Sequence, residues 1–174
     1  MFVERERPLA RPANRTCVST THGVTPNTVK PQIDLIVTDV DGTLLNSKQE
    51  LMPSTECAVL EAAARGTPVV VATGKTRGPW AADILPRLGD PMPGLFLQGL
   101  VIYDAKGDVW QSKSLEEDVA LEAMSFADRH AVSLVAYCGE RILCATNDKY
   151  TDHLADFGEP LPEPVGHLPS ILGA

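Results

Sequence analysis

The apolar positions of this chain fall into short runs separated by stretches of longer period. Ile33-Asp34-Leu35-Ile36-Val37-Thr38 is rich in β-branched residues and stops at Asp39, Asp41 and Gly42, the profile of a buried strand ended by a tight turn. Pro53-Ser54-Thr55 opens a helix with Ser54 as candidate N-cap, the Ala-rich stretch from Glu56 to Arg65 continues it, and Gly66 closes it. Pro68 to Ala72 reads as a second apolar strand with Thr73-Gly74 at its end. Strand, helix and strand in that order predict a βαβ unit with parallel strands.

The alternation then repeats. Trp80 to Leu88 predicts a second helix, and Leu95 to Gln98 a third strand that runs on through Val101-Ile102-Tyr103 into a hairpin at Asp104 to Gly107, with Val109-Trp110 as its return. Leu115 to His130 is amphipathic, with Val119, Ala123, Phe126 and Ala127 on the apolar face. Val132 to Cys138 and Arg141 to Thr146 flank Gly139-Glu140, a two-residue loop that suits a type II′ turn and sets Cys138 opposite Arg141 and Cys144 opposite Val135. Asn147 to Phe157 predicts a short helix. A Pro-rich loop follows, and Ser170-Ile171-Leu172 starts another helix. The fold class is α/β.

Composition narrows the picture. A chain of 174 residues, 44% of them hydrophobic, holds one packed domain and little more. Its longest mainly apolar stretch, Gly94 to Tyr103, is interrupted by Gln98 and falls short of the roughly 20 residues a membrane helix needs. Residues 1–32 hold Arg5, Arg7, Arg11, Arg15 and Lys30 against Glu4 and Glu6, a balance of +3, so within the formal charge of −8 the remainder carries −11. That body repels nucleic-acid backbones and anionic lipid, and neither partner is expected. Cys17, Cys57, Cys138 and Cys144 form no CxxC pair and no zinc spacing with histidines, and read as reduced thiols. Residues 1–32 have no period and fit either a transit peptide or a plain disordered extension. The compartment is an organelle in the first case and the cytoplasm in the second.

The chemistry concentrates in Thr38-Asp39-Val40-Asp41-Gly42-Thr43. Carboxylates at i and i+2 of extended backbone point to one side. They lie at the carboxyl end of a parallel strand, where open α/β sheets take ligands. A hard divalent cation removes their repulsion, and Mg²⁺ is the usual choice where a phosphate supplies further oxygens. Gly42 lets backbone approach a ligand, with N–H groups that can face an anion.

Asp39-Val40-Asp41-Gly42-Thr43-Leu44 after an apolar strand resembles the first signature of the haloacid dehalogenase (HAD) superfamily. Val69-Val70-Val71-Ala72-Thr73-Gly74-Lys75 resembles its second, in the form of the Cof-type branch with an α/β cap. Phe96 to Tyr103 is similar to the third strand and hairpin of Cof-type proteins and, with Ala72 to Lys75, to HAD-like hydrolase regions of plant and algal plastid proteins. The resemblance spans residues 33 to about 157. It implies a Rossmann-like parallel-sheet core whose N-terminal half is residues 33–111, a partial α/β cap of C2 type over 112–174, and a Mg²⁺-dependent phosphatase acting on a small phosphorylated metabolite.

By that resemblance Asp39 is the nucleophile that forms an aspartyl-phosphate, and Asp41 is the general acid and base. Asp39 and the backbone carbonyl of Asp41 would hold Mg²⁺. Gly42, Thr73, Gly74 and Lys75 would hold the substrate's phosphoryl end. Lys75 stands where Cof-type proteins most often carry Arg, a point charge in place of a planar fork. The family's third motif, a Lys, and its fourth, an acidic cluster, follow the cap. No Gly-Asp-x-x-x-Asp segment occurs downstream of Leu115, and the chain is expected to end inside the cap. Two other readings stand beside this one: a catalytically incomplete fragment or pseudoenzyme of the family, and a phospho-acceptor receiver domain. Receivers also group acids with Thr or Lys at strand ends, but place the accepting Asp on a later strand. Oligomeric state stays open.

Overall fold

The computed structural model describes residues 32–89 and 92–172, so the leader assigned to residues 1–32 lies, but for Gln32, outside them. A first sheet has the order β1-β2-β3-β4-β5. β1 (Ile36–Thr38) pairs in parallel with β2 (Val69–Ala72), and β2 in parallel with β3 (Gly94–Phe96). β4 (Val101–Tyr103) and β5 (Val109–Ser112) extend the sheet antiparallel. The result is a parallel-rich mixed α/β sheet of the Rossmann-like type.

Helix α1 (Pro53–Ala64) links β1 to β2. Its N-cap is Met52, not Ser54, because Pro53 has its φ preset for the first helical position and starts the helix early. The far end is a Schellman motif: Gly66 takes φ 85°, its N–H donates to Ala63, and Thr67 N–H donates to Ala62. Helix α2 (Pro79–Ile84) is shorter than the 80–88 helix expected. Pro86 has no N–H and its ring opposes a continuing α-helix, so Leu85–Leu88 tighten into a 3₁₀ turn. These elements bury a core of Val40, Leu44, Leu45, Val71, Ile84, Leu88 and Phe96, with Phe96 edge-on to Tyr103.

The third strand does not run on through Val101. Leu97 and Gln98 both adopt positive φ, 50° and 57°, and the chain reverses so that Phe96 lies opposite Val101.

A second sheet has the order β6-β7-β8. β6 (Val135–Cys138) and β7 (Arg141–Cys144) pair with Cys138 opposite Arg141 and Val135 opposite Cys144, the register expected from the Gly139-Glu140 loop. β8 (Glu163–Pro164), where a loop was expected, runs parallel to β7, and its proline is tolerated because the strand is an edge. Helix α3 (Glu117–His130) buries Met124 and Ala127, not Phe126 and Val119, because it packs on Leu143 and Leu168 along the Met124 stripe. Helix α4 (Lys149–Asp152) opens on a capping box: Asp148 Oδ1 accepts from Tyr150 and Thr151 N–H, and Asp148 N–H donates to Thr151 Oγ1. A 3₁₀ turn, His153–Phe157, follows.

Residues 158 and 159 reach back to the loop after β2 and the start of α2. Glu159 is buried and accepts both the backbone N–H and the hydroxyl of Thr76, while Trp80 N–H donates to the Gly158 carbonyl at 3.4 Å. Cys138 and Cys144 are free thiols, but Cys57 is disulfide-bonded, which departs from the expectation of four reduced cysteines.

Candidate active site

The register of β1 on β2 places Thr38 beside Val71, so the next residues, Asp39 and Ala72-Thr73, adjoin at the carboxyl end of the sheet. A cavity of about 490 Å³ opens there, lined by Asp39, Ala72, Thr73, Gly74, Leu95, Gln98 and Gly99. The Asp39 backbone carbonyl accepts from Leu44 N–H at 3.2 Å and from the Thr38 hydroxyl at 2.8 Å. Its carboxylate has no hydrogen bond or ion pair with any of the described residues.

Val40 is fully buried and its carbonyl accepts from Thr43 and Leu45, closing a turn in which Gly42 has φ 73°. Only that dihedral demands glycine at 42, for a Cβ there would meet nothing. Asp41, past the turn, is engaged. Its Oδ1 lies 2.8 Å from Lys75 Nζ and accepts from Gln49 Nε2 at 2.8 Å. Lys75 Nζ in turn donates to Gln49 Oε1 at 2.7 Å and sits 5.3 Å from the centre of the Trp80 ring. Lys75 therefore has its ammonium in a closed triangle with Asp41 and Gln49, and its side chain is only 5% exposed.

Thr73 is buried at the floor of the cavity. Its hydroxyl oxygen accepts from Lys75 N–H at 3.2 Å, which leaves the O–H free to donate. Its backbone is pinned on both sides, N–H to Leu95 carbonyl and carbonyl from Gln98 N–H. A Cβ at Gly74 would lie 2.5 Å from Gln98 Nε2, so the Gln98 carboxamide sits directly against this turn.

Sequence reasoning missed two residues here. Gln49 is aimed by a turn in which Asn46 Oδ1 accepts from Lys48 and Glu50 N–H groups and Gln49 itself takes φ 61°. The Asn46-Ser47-Lys48 turn chemistry was legible; its target was not. Gln98 is the other. Leucine and glutamine in the left-handed region cost about 1–2 kcal/mol each, and nothing in the composition of Phe96-Leu97-Gln98 announces that strain.

No group of three or more His, Cys, Asp or Glu side chains that could hold a metal occurs among the described residues. The chemistry of the donors present still suits a hard cation in part: an unpartnered carboxylate at Asp39 is a good Mg²⁺ ligand, and Mg²⁺ sites often use one or two carboxylates with water and phosphate oxygens making up the rest. The Asp41 carboxylate is taken by Lys75, so only its backbone carbonyl is left for such a role.

A parallel-rich sheet with an unpartnered carboxylate beside a Thr-Gly turn, at the carboxyl ends of adjoining strands, is an α/β protein that takes its ligand at the strand ends. The chain belongs to the haloacid dehalogenase-like hydrolases, whose family model matches residues 36–164. It is 33% identical over 153 residues to the chloroplastic endoribonuclease YBEY of Arabidopsis thaliana, covering 82% of this chain and 26% of that one. It is 29% identical over 115 residues to the phosphatase YwpJ of Bacillus subtilis, covering 66% and 40%. In structure it resembles a haloacid dehalogenase-like hydrolase from B. subtilis with a TM-score of 0.69 at 21% identity, over 82% of this chain and 57% of that one. The chain thus spans well under half the length of the two sequence relatives.

Proposed function

We propose that this site transfers the phosphoryl group of a small phosphate monoester to Asp39 and then to water. The observation that carries this reading is the unpartnered Asp39 carboxylate, set in the cavity with the Thr73 hydroxyl and Gly74. An Asp39 oxygen attacks phosphorus and the bond from phosphorus to the ester oxygen breaks. Asp41, carrying a proton in the substrate complex, gives it to the departing alkoxide. Water then attacks the aspartyl-phosphate, gives its proton to Asp41, and phosphate leaves.

The Thr73 hydroxyl and the N–H groups around Gly42 and Gly74 stabilise the equatorial oxygens. Lys75 and Gln49 fix the Asp41 carboxylate; in this reading Lys75 serves the acid–base group and not the substrate. Mg²⁺, held by the Asp39 carboxylate and the Asp41 carbonyl, would supply neutralisation of the phosphoryl charge. A cavity of about 490 Å³ suits a small metabolite, and in this reading residues 112–174 would belong to a cap. An acidic body argues against nucleic acid as the substrate of this site. A plastid location is supported by the chloroplastic relative.

Calorimetric titration with Mg²⁺ tests the site. Saturable binding weaker than micromolar is expected for the wild-type chain and its loss in Asp39→Asn. Equal binding by the two proteins would overturn the assignment.

A further inference from the structure

We propose that Gln98 reads the substrate beyond phosphorus, hydrogen-bonding a hydroxyl of the leaving alcohol, and so selects hydroxylated phosphate esters over plain alkyl ones. The inference rests on the phosphatase reading above. Gln98 shares the cavity with Asp39, Thr73 and Gly74, and its amide nitrogen lies so close to Gly74 that a Cβ there would collide with it. The side chain therefore flanks the place where the phosphoryl group would sit.

The position is built. Two successive non-glycine residues, Leu97 and Gln98, are held at positive φ by hydrogen bonds from Leu97 N–H to the Lys75 carbonyl and from Gln98 N–H to the Thr73 carbonyl, at 3.0 and 3.1 Å. Both anchors belong to the Thr-Gly-Lys turn, so the strained reversal and the phosphoryl end of the site are one unit. Strain of this kind persists only where surrounding structure imposes it, and it gathers at ligand sites.

The carboxamide itself is exposed and bonds to no described residue. It offers a donor and an acceptor together. Phosphoryl oxygens only accept, whereas an alcohol hydroxyl both donates and accepts, which is the complement of an amide. Among the lining residues Ala72, Leu95, Gly74 and Gly99 bring no polar side chain, Asp39 is assigned to phosphorus, and Thr73 lies on the floor. Gln98 is the side chain left to recognise the rest of the molecule.

The test uses two phosphonates, whose carbon–phosphorus bonds do not hydrolyse: n-butylphosphonate and 3,4-dihydroxybutylphosphonate, titrated calorimetrically with Mg²⁺ present. The wild-type chain should bind the dihydroxy compound about fivefold more tightly, the ratio that one neutral hydrogen bond of about 1 kcal/mol produces. In Gln98→Leu the ratio should fall to about 1. Gln98→Gly should do the same, and its backbone suits the left-handed conformation, so loss of folding does not confound it. Thr73→Val should weaken both compounds together and keep the ratio. A wild-type ratio near 1, a ratio unchanged in both Gln98 variants, or an equal loss of both compounds in them, overturns the role given to Gln98 while the phosphatase reading stands. No Thr73-dependent binding of either phosphonate by the wild-type chain overturns that reading and the proposal with it.

Discussion

Asp41→Ala should cost this fold more than Lys75→Met, although both break the same 2.8 Å ion pair. The asymmetry comes from burial: the Lys75 side chain is 5% exposed and that of Asp41 39%. Removing Asp41 leaves a buried ammonium with Gln49 Oε1 and the Trp80 ring as its remaining partners. Stranding one member of a buried pair costs about 3–5 kcal/mol, and those two partners put the loss near the low end, about 3 kcal/mol. Removing Lys75 instead leaves a carboxylate that keeps Gln49 and reaches water, at about 1 kcal/mol. With a urea dependence of about 2 kcal/mol per molar, the two midpoints should separate by about 1 M. The double variant should lie closer to wild type than Asp41→Ala does, because a neutral pair strands no charge. Urea unfolding followed by circular dichroism measures all three. Equal midpoint shifts for the single variants, or simple addition of their losses in the double variant, would show that the pair does not hold Asp41 as argued.

Among the described residues β1 pairs only with β2, and its Val37 is 57% exposed, so among them the strand presents an apolar edge. The chain should self-associate as its concentration rises, and Val37→Lys should restore a constant gel-filtration volume. Concentration-independent elution of the wild type would refute this. Asp148 should contribute to acid sensitivity, because hydrogen bonds from the Ser133 hydroxyl and from Thr151 N–H hold its carboxyl below the ordinary range. A group whose folded value is lowered contributes stability above its unfolded value, lost as pH falls through the folded one. Asp148→Asn should therefore lower Tm at neutral pH and narrow the gap in acid; parallel Tm curves would contradict it.

Much of the fold was legible because local chemistry and tertiary packing agree. β-branched runs became β1 and β2, Gly66 took the left-handed place that ends α1, and Gly139-Glu140 fixed the pairing of Cys138 with Arg141. The acid-bearing turn was legible for the same reason, since Asp39, Val40, Asp41 and Gly42 adjoin in the sequence and close on themselves as one local turn. What escaped depends on partners distant in the chain. The choice of Met124 over Phe126 as the buried stripe of α3 is made by Leu143 and Leu168. The engagement of Lys75 depends on Gln49, 26 residues upstream. The reversal at Leu97 and Gln98 runs against the intrinsic preference of both residues, which is why a straight strand was the natural expectation.

The role of Asp39 as phosphoryl acceptor is tested most directly by ¹⁹F NMR of the chain with beryllofluoride, which binds a carboxylate oxygen as a mimic of the acyl-phosphate. Bound fluoride resonances should appear with wild-type protein and Mg²⁺ and be absent without the metal and in Asp39→Asn. The same resonances in Asp39→Asn, or in wild type without Mg²⁺, would show a general anion pocket and not an aspartyl acceptor.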